Sequence, residues 1–300
     1  MSETPTISVV IPTYNRLDTL EEVLPLLLAQ DLAPSQYELL VCDSNSNDGT
    51  AQYLAALQTE HCTVRHLADA YGGRAAARNA GIAAARGEIV LFNDADILAS
   101  PNLISTHLRR HRERSGIAVV GLEVQVKDLA EYVFKRDRPE ARGHLHPPSR
   151  KKLSWLYFLT GNASVRRADL LRAGCFDENF TGYGHEDLEL GYRLQQLGIE
   201  ILYEPGAVNY RCQAIAYDDQ KEKMRLAGRS TARFYNKHPR FEVMLKLGMT
   251  PVSLGAHALL TRWPHVLGYI DRQAGRSQLA RELLLQYYYV SGIKEAHGRR

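Results

Sequence analysis

Cysteine is scarce in this chain. The four present, Cys42, Cys62, Cys175 and Cys212, are scattered over 300 residues without paired zinc spacing. That pattern argues against a disulfide framework or a metal knot and reads as free thiols in a reducing cytosol. Long apolar runs are missing too, since no stretch nears the roughly 20 residues of a membrane-spanning helix. The opening MSETPTISVVIP has no basic segment before its short apolar run and no small-residue cleavage pattern, so the chain reads as cytoplasmic. Charge of one sign is not in excess: 37 Lys and Arg against 34 Asp and Glu leave +3, too little for a general nucleic-acid surface. The first strand-like run leads into Pro12-Thr13-Tyr14-Asn15-Arg16 and not into GxGxxG, and no GxxxxGK[ST] occurs. These absences weigh against dinucleotide dehydrogenases and P-loop enzymes. No internal repeat or low-complexity tract appears.

The composition, 45% hydrophobic and 24% charged, is that of an ordinary globular chain with one large domain or two modest ones. Strand-like runs fall at Ile7 to Ile11, Glu38 to Cys42, Thr63 to Leu67, Glu88 to Phe92 and Ile117 to Leu122, with helical patterns between the early ones. Such alternation predicts an α/β fold with a mostly parallel sheet flanked by helices. The first helix carries Leu17, Leu20, Val23, Leu24, Leu27 and Leu28 at helical spacing, and Pro25 should bend or break it. Lys135 to Lys152 is polar, basic and rich in Gly and Pro, and reads as a long mobile loop. Its basic side chains could close over a diphosphate or a phosphate-bearing lipid. Beyond about Asp218 the pattern turns helical, interrupted by Pro239, Pro251 and Pro264. The organisation expected is therefore residues 1–218, split near 100 into a nucleotide-binding and an acceptor half, followed by a helical extension over 219–300. Leu245 to Leu260, followed by Arg262 and Trp263, could pack as a simple helix or touch a membrane surface.

The chemistry concentrates at GRAAARNAGIAAARGEIVLFNDAD, where a buried-strand pattern stops at Asp94 and Asp96. In open α/β sheets ligands gather beyond strand carboxyl ends, and two carboxylates there suit a divalent cation. The plainer reading is a turn or helix cap. Asp43 ends the second strand in VCDSNSNDGT; it could cap a turn or accept a hydrogen bond from a base ring N–H such as uracil's. Asp48 reads as a turn residue. Glu186 and Asp187 in GYGHEDLELGYRL open a helix behind Gly182 and Gly184, and first-turn acids commonly do no more than complement the helix dipole. His107 and His111 lie four apart on a helix, but Arg109, Arg110 and Arg112 would repel a cation. His144 and His146 belong to the basic loop.

Together SVVIPTYNR, VCDSNSNDGT, ARNAGIAAARGEIVLFNDAD and TGYGHEDLELGYRL resemble, in order, the family 2 inverting glycosyltransferases of GT-A fold, over about two thirds of the chain. The resemblance implies that Pro12, Tyr14, Arg16 and Asp43 line a nucleoside pocket and that Arg78 approaches Asp43 or the diphosphate. It places Asp94 on the ribose side and Asp96 on a Mg²⁺ or Mn²⁺ ion, with Asp94 beside it. It makes Asp187 the base that takes the acceptor proton, with Glu186 and His185 against the acceptor. The donor would be a nucleotide-diphosphate sugar, UDP favoured through Asp43, and the acceptor a glycan or lipid-linked hydroxyl in surface polysaccharide or glycolipid synthesis. A location at the inner face of a membrane would suit such an acceptor. One departure stands out: where relatives often have a histidine metal ligand, EPGAVNYRC carries Arg211. Either the cation is then held by Asp96 and the diphosphate alone, more weakly but with activity retained, or Arg211 takes over part of its charge and contacts the diphosphate, or the chain is a non-catalytic sugar-nucleotide- or glycan-binding relative. A sugar-phosphate nucleotidyltransferase would need a glycine-rich, arginine-bearing loop after the first strand, and that loop is absent.

Overall fold

The structure, a computed structural model, describes residues 4–60, 63–142, 151–212 and 217–297. The chain forms two compact units, one of Met1–Glu178 with Asp187–Ala214, the other of Asn179–Glu186 with Ile215–Arg300.

The first unit is built on a nine-stranded sheet: β1 (Ile7–Thr13), β2 (Tyr37–Asp43), β3 (Val64–Ala68), β4 (Ile89–Phe92), β5 (Ile97–Ala99), β6 (Ile117–Val126), β7 (Lys152–Leu153), β8 (Ala163–Arg166) and β9 (Glu200–Cys212). Their order is β3-β2-β1-β4-β8-β6-β9-β5, with β7 also on β9. β1, β2 and β4 are buried along their whole length, as the unbroken apolar runs of central parallel strands require. The sheet is mixed: β1 pairs β2 and β4 in parallel, β2 pairs β3 and β6 pairs β9 likewise, while β4–β8, β6–β8, β5–β9 and β7–β9 are antiparallel. The helices of this unit are α1 (Leu17–Leu28), α2 (Thr50–Glu60), α3 (Arg74–Ala84), α4 (Leu103–Glu113), α5 (Leu129–Asp137), α6 (Arg167–Arg172) and α7 (Glu186–Gln196), whose first residue is assigned to the second unit. Leu20, Val23, Leu24 and Leu27 of α1 join Ile7, Val9, Leu39 and Leu91 in the main core. Pro25 does not break α1. It is exposed, so water can satisfy the carbonyl it leaves unpaired, and its own carbonyl accepts from Ala29 N at 3.0 Å.

The basic segment expected as one loop is not one. Lys135 to Asp137 finish α5, whose start is fixed by the Asp128 carboxylate accepting from Glu131 N at 2.8 Å. Lys135 pairs with Glu131 at 2.9 Å, one turn back. Pro139–Arg142 form a 3₁₀ turn and Lys152 opens β7. His144, His146 and Arg150 lie outside the described residues.

One irregularity matters for the site. β6 and β9 run in register until Gly121 faces Glu204, after which Leu122 faces Val208, so Pro205, Gly206 and Ala207 have no partner on β6. Beyond this bulge Leu122, Val124, Val208 and Tyr210 turn to the core, and Glu123, Asn209 and Arg211 share the opposite face.

The second unit contains α8 (Tyr217–Lys237), α9 (Phe241–Lys246), α10 (Pro251–Arg262), α11 (Pro264–Gln273) and α12 (Gln278–His297). Pro251 and Pro264 start helices, at the first-turn position where a missing N–H costs nothing. α8 and α12 cross at glycine: a Cβ on Gly228 would collide with the Tyr289 carbonyl, and one on Gly292 with that of Arg225. Arg225 and Arg229 both grip Glu295, each with a closest contact of 2.7 Å. No helix among the described residues is long and apolar enough to cross a membrane.

Candidate functional site

Strands β1, β2 and β4 run in parallel and end at one edge of the sheet, where Thr13 is in register with Asp43 and Asn93 N donates to the Val10 carbonyl at 3.1 Å. Pro12 and Asp43 are buried there, whereas Tyr14 and Arg16 are exposed on the following loop. Asp43 Oδ1 accepts from Ser46 N at 3.1 Å and Ser46 Oγ at 2.5 Å, and its Oδ2 lies 3.2 Å from Nε2 of His66 on β3. The loops after β1 and β2 are stapled: Asn15 N donates to Ser46 Oγ at 2.8 Å, Asn47 N to Asn15 Oδ1 at 2.9 Å and Leu17 N to Asp48 Oδ2 at 2.9 Å. Asn15 and Asn45 hold left-handed backbone at φ of 50° and 56°, which asparagine tolerates. Asp48 is the turn residue expected; the Thr50 hydroxyl, with several backbone N–H groups, holds its carboxyl below the usual range despite partial desolvation. Asp43 is thus a fully anchored carboxylate whose oxygens keep lone pairs for a further donor.

A second cluster sits beyond β4. Asp94 Oδ1 accepts from Arg78 Nη2 at 2.8 Å. Arg78, read from the sequence as approaching Asp43 or a diphosphate, is 1% exposed, lies over the Phe176 ring at 5.6 Å and meets Asp94. Arg211 closes the cluster from β9. Its Nη2 lies 3.3 Å from Asp94 Oδ2 and its Nη1 3.1 Å from Asp96 Oδ1, while Nε and Nη2 meet Glu123 at 2.9 and 3.1 Å. Glu123 escaped the sequence reading, as did Ser46 and His66. Gly161 leaves room for this pair: a Cβ there would stand 2.7 Å from Arg211 Nη2 and 2.8 Å from Glu123 Oε2, so the ends of both side chains would have to shift. Asn209 Nδ2 fixes the Gly161 carbonyl at 2.6 Å. Burial alone would raise Asp94, but the guanidinium groups of Arg78 and Arg211 outweigh it and hold the carboxyl at about 2. Asp96 goes the other way: burial raises it, only partly countered by Arg211.

These oxygens suit a hard divalent cation, with restrictions. Both oxygens of Asp94 face guanidinium groups, and Asp96 gives Oδ1 to Arg211 and keeps Oδ2. Among the described residues no group of three His, Cys, Asp or Glu side chains converges as a cage. The donor set fits Mg²⁺ or Mn²⁺ shared with phosphate oxygens, the arrangement in which one or two protein carboxylates suffice.

The remaining candidates are spread along α7 and its approach. Glu186 is buried in the second unit, and Asp187, the next residue, belongs to the first and accepts its neighbour Leu188 N at 2.8 Å. His185 adopts φ of 72°, places Nε2 at 3.1 Å from Thr231 Oγ1 and stacks on Tyr289. Burial pushes its pKa down to about 4 against the raising effect of Glu186. His107 and His111 are core residues. They bond Ser164 Oγ through Nδ1 of His107 at 2.8 Å and Nε2 of His111 at 2.9 Å, and His107 Nε2 meets Asn162 at 2.8 Å. Cys42, Cys175 and Cys212 are free thiols, and Cys62 lies outside the described residues.

Known proteins share the family and the fold of this chain. The model of glycosyl transferase family 2 matches residues 8–174, and that of the N-terminal domain of galactosyltransferase matches 142–212. Validoxylamine A glucosyltransferase of Streptomyces hygroscopicus subsp. limoneus is 33% identical over 224 residues, 66% of this chain and 49% of that protein. The chain spans about half the length of the curated relatives it matches first. Two solved structures share the fold. The mannosyltransferase PcManGT from Pyrobaculum calidifontis, in complex with GDP-Man and Mn²⁺, has a TM-score of 0.68 at 19% identity, covering 99% of this chain and 88% of that one. S. aureus TarS 1-349 in complex with UDP has a TM-score of 0.56 at 19% identity, covering 98% and 92%.

Proposed function

Because this chain belongs to glycosyl transferase family 2, we propose that it moves a sugar from a nucleotide-diphosphate sugar, UDP-linked by preference, to an acceptor hydroxyl with inversion at the anomeric carbon. The observation that carries the reading is the pairing, at one strand edge, of the anchored Asp43 with the Asp94–Asp96–Arg211 cluster. In this reading Asp43 accepts from the base, with Pro12, Tyr14 and Arg16 around the nucleoside. Asp94, fixed by Arg78, holds the ribose, and Asp96 faces the diphosphate. A Mg²⁺ or Mn²⁺ ion bound there would neutralise charge on the departing diphosphate. Asp187 takes the acceptor proton opposite the leaving group, and Glu186 and His185 orient the acceptor. PcManGT and TarS, crystallised with GDP-Man and Mn²⁺ and with UDP, support a nucleotide ligand and a dication in this fold.

The acceptor we propose is a glycan or lipid-linked hydroxyl in surface polysaccharide or glycolipid synthesis, met at the cytoplasmic face of a membrane, with residues 1–218 as the transferase and 219–300 as its extension. The outer face of α10 supports such contact: Val252, Ala256, Leu259 and Trp263, at spacing i, i+4, i+7 and i+11, are exposed. No acid occurs between Glu242 and Asp271, while Lys246 and Arg262 flank the stripe. Sedimentation with anionic vesicles checks this, and equal binding to neutral vesicles would refute the charge argument.

Thermal shifts with UDP, GDP, dTDP and CDP, each with and without Mn²⁺, on wild type and Asp96→Ala, test the donor site. Ligand at about 100 times its dissociation constant adds about 2.7 kcal/mol. A shift for one nucleotide that grows with Mn²⁺ and fades in the variant is expected; no shift with any nucleotide refutes the site. The Arg211 side chain in the cation's place favours a second reading, a non-catalytic binding relative, which predicts nucleotide binding without turnover over a donor and acceptor panel.

A further inference from the structure

Arg211 is engaged by Glu123, Asp96 and Asp94 at once, and Arg78 takes the second oxygen of Asp94. Of the acid pair, only Asp96 Oδ2 meets no cationic group among the described residues. A dication seeks about six oxygens, so a protein offering one free carboxylate oxygen holds it weakly. A guanidinium also forms paired bonds with a diphosphate, as it does with carboxylates. Arg211 therefore has two competing sets of partners, the carboxylates already around it and the phosphates of a donor.

Glu123 decides the balance before a donor arrives. It is in register with Asn209, two residues from Arg211 on the same face of the sheet, and it bonds two of the guanidinium nitrogens. The absence of a side chain at Gly161 leaves the space in which the two groups meet.

We propose that Arg211 makes cation binding conditional on the donor. The diphosphate draws the guanidinium off Asp94 and Asp96, which uncovers them for Mg²⁺ or Mn²⁺, and Glu123 is the positioning residue that parks Arg211 over them beforehand. This deepens the donor reading given above and rests on it. By linkage, a cation that displaces Arg211 from the carboxylates must equally favour its move to the diphosphate.

The test measures Mn²⁺ binding without nucleotide, from loss of the free-ion electron paramagnetic resonance signal, and UDP and GDP binding in EDTA by calorimetry. Wild type, Arg211→Gln and Glu123→Gln are compared. Both variants should bind Mn²⁺ alone more tightly than wild type, Arg211→Gln by about tenfold, within the usual span of coupling between sites. In EDTA, Arg211→Gln should bind the nucleotide more weakly and Glu123→Gln more tightly, because the released guanidinium is then free for the diphosphate. If Arg211 were only structural, its loss would weaken both ligands, and that result overturns the proposal. Unchanged Mn²⁺ binding in both variants, with nucleotide still bound, overturns the coupling alone. Failure of all three proteins to bind any of UDP, GDP, dTDP and CDP, with or without Mn²⁺, overturns the donor reading itself.

Discussion

Mild acid should destabilise the first unit through two histidines. His107 and His111 are 0% and 1% exposed, and burial drives their pKa values down to about 4 and about 3, the charge of His107 adding to the effect on His111. In the unfolded chain both return to about 6.5. Between those values the unfolded state binds more protons, so their contribution is fully present above about pH 6.5 and is lost as pH falls. At pH 5 the loss is about 2 kcal/mol for each, about 4 kcal/mol together. The carboxylate of Asp94, at about 2, does not titrate in that interval. With a urea slope near 3 kcal/mol per molar the midpoint should fall by roughly 1 M from pH 7.5 to pH 5. Urea unfolding followed by the fluorescence of buried Trp155, in a Trp263→Phe background, reads it. His107→Gln/His111→Gln retains amides for Ser164 and Asn162 and removes the titration. An equal drop in midpoint for that variant would refute the assignment, whatever its absolute stability.

Other substitutions probe the remaining structure. Asp187→Asn should lower transfer by about 100-fold or more while nucleotide binding stays near wild type; full transfer removes Asp187 as the base. Arg78→Met removes one of the two guanidinium groups that hold Asp94 and should cost about 1.5–3 kcal/mol by denaturant titration, a loss under about 1 kcal/mol contradicting the ion-pair account. Gly292→Ala pushes a methyl into the Arg225 carbonyl across the α8–α12 crossing and should cost at least about 1–3 kcal/mol. An unchanged melting curve for Gly292→Ala would show that the helices can part freely.

Local patterns carried much of the fold. The apolar runs of β1, β2 and β4 are recognisable because strands buried on both faces need no alternation, and their observed ends lie within two residues of those read from sequence. β5 and β8 are too short to show a pattern and become strands only by pairing with β9, β4 and β6. Lys135 to Asp137 have the composition of a loop, but the signal that makes them helical lies upstream at Asp128, whose cap starts α5. In the site, Asp43, Asp94, Asp96 and Arg211 were legible as residues at strand ends. Their partners were not: Glu123 and Arg211 lie 88 positions apart, and what brings them together is the register of β6 on β9.

The unpaired Pro205, Gly206 and Ala207 of β9 also govern which changes of length this chain can absorb. Side chains alternate along a strand, yet Glu204 lies on the face of Gly121 while Val208, four residues on, turns to the core with Leu122, so the bulge already absorbs an odd excess. Removing one of the three would restore plain alternation, with Val208 and Tyr210 still in the core and Arg211 still on the face of Glu123. The facing of Arg211 is therefore set by the pairing of β9 with β6 beyond the bulge, and a change of length before it leaves the carboxylates their guanidinium.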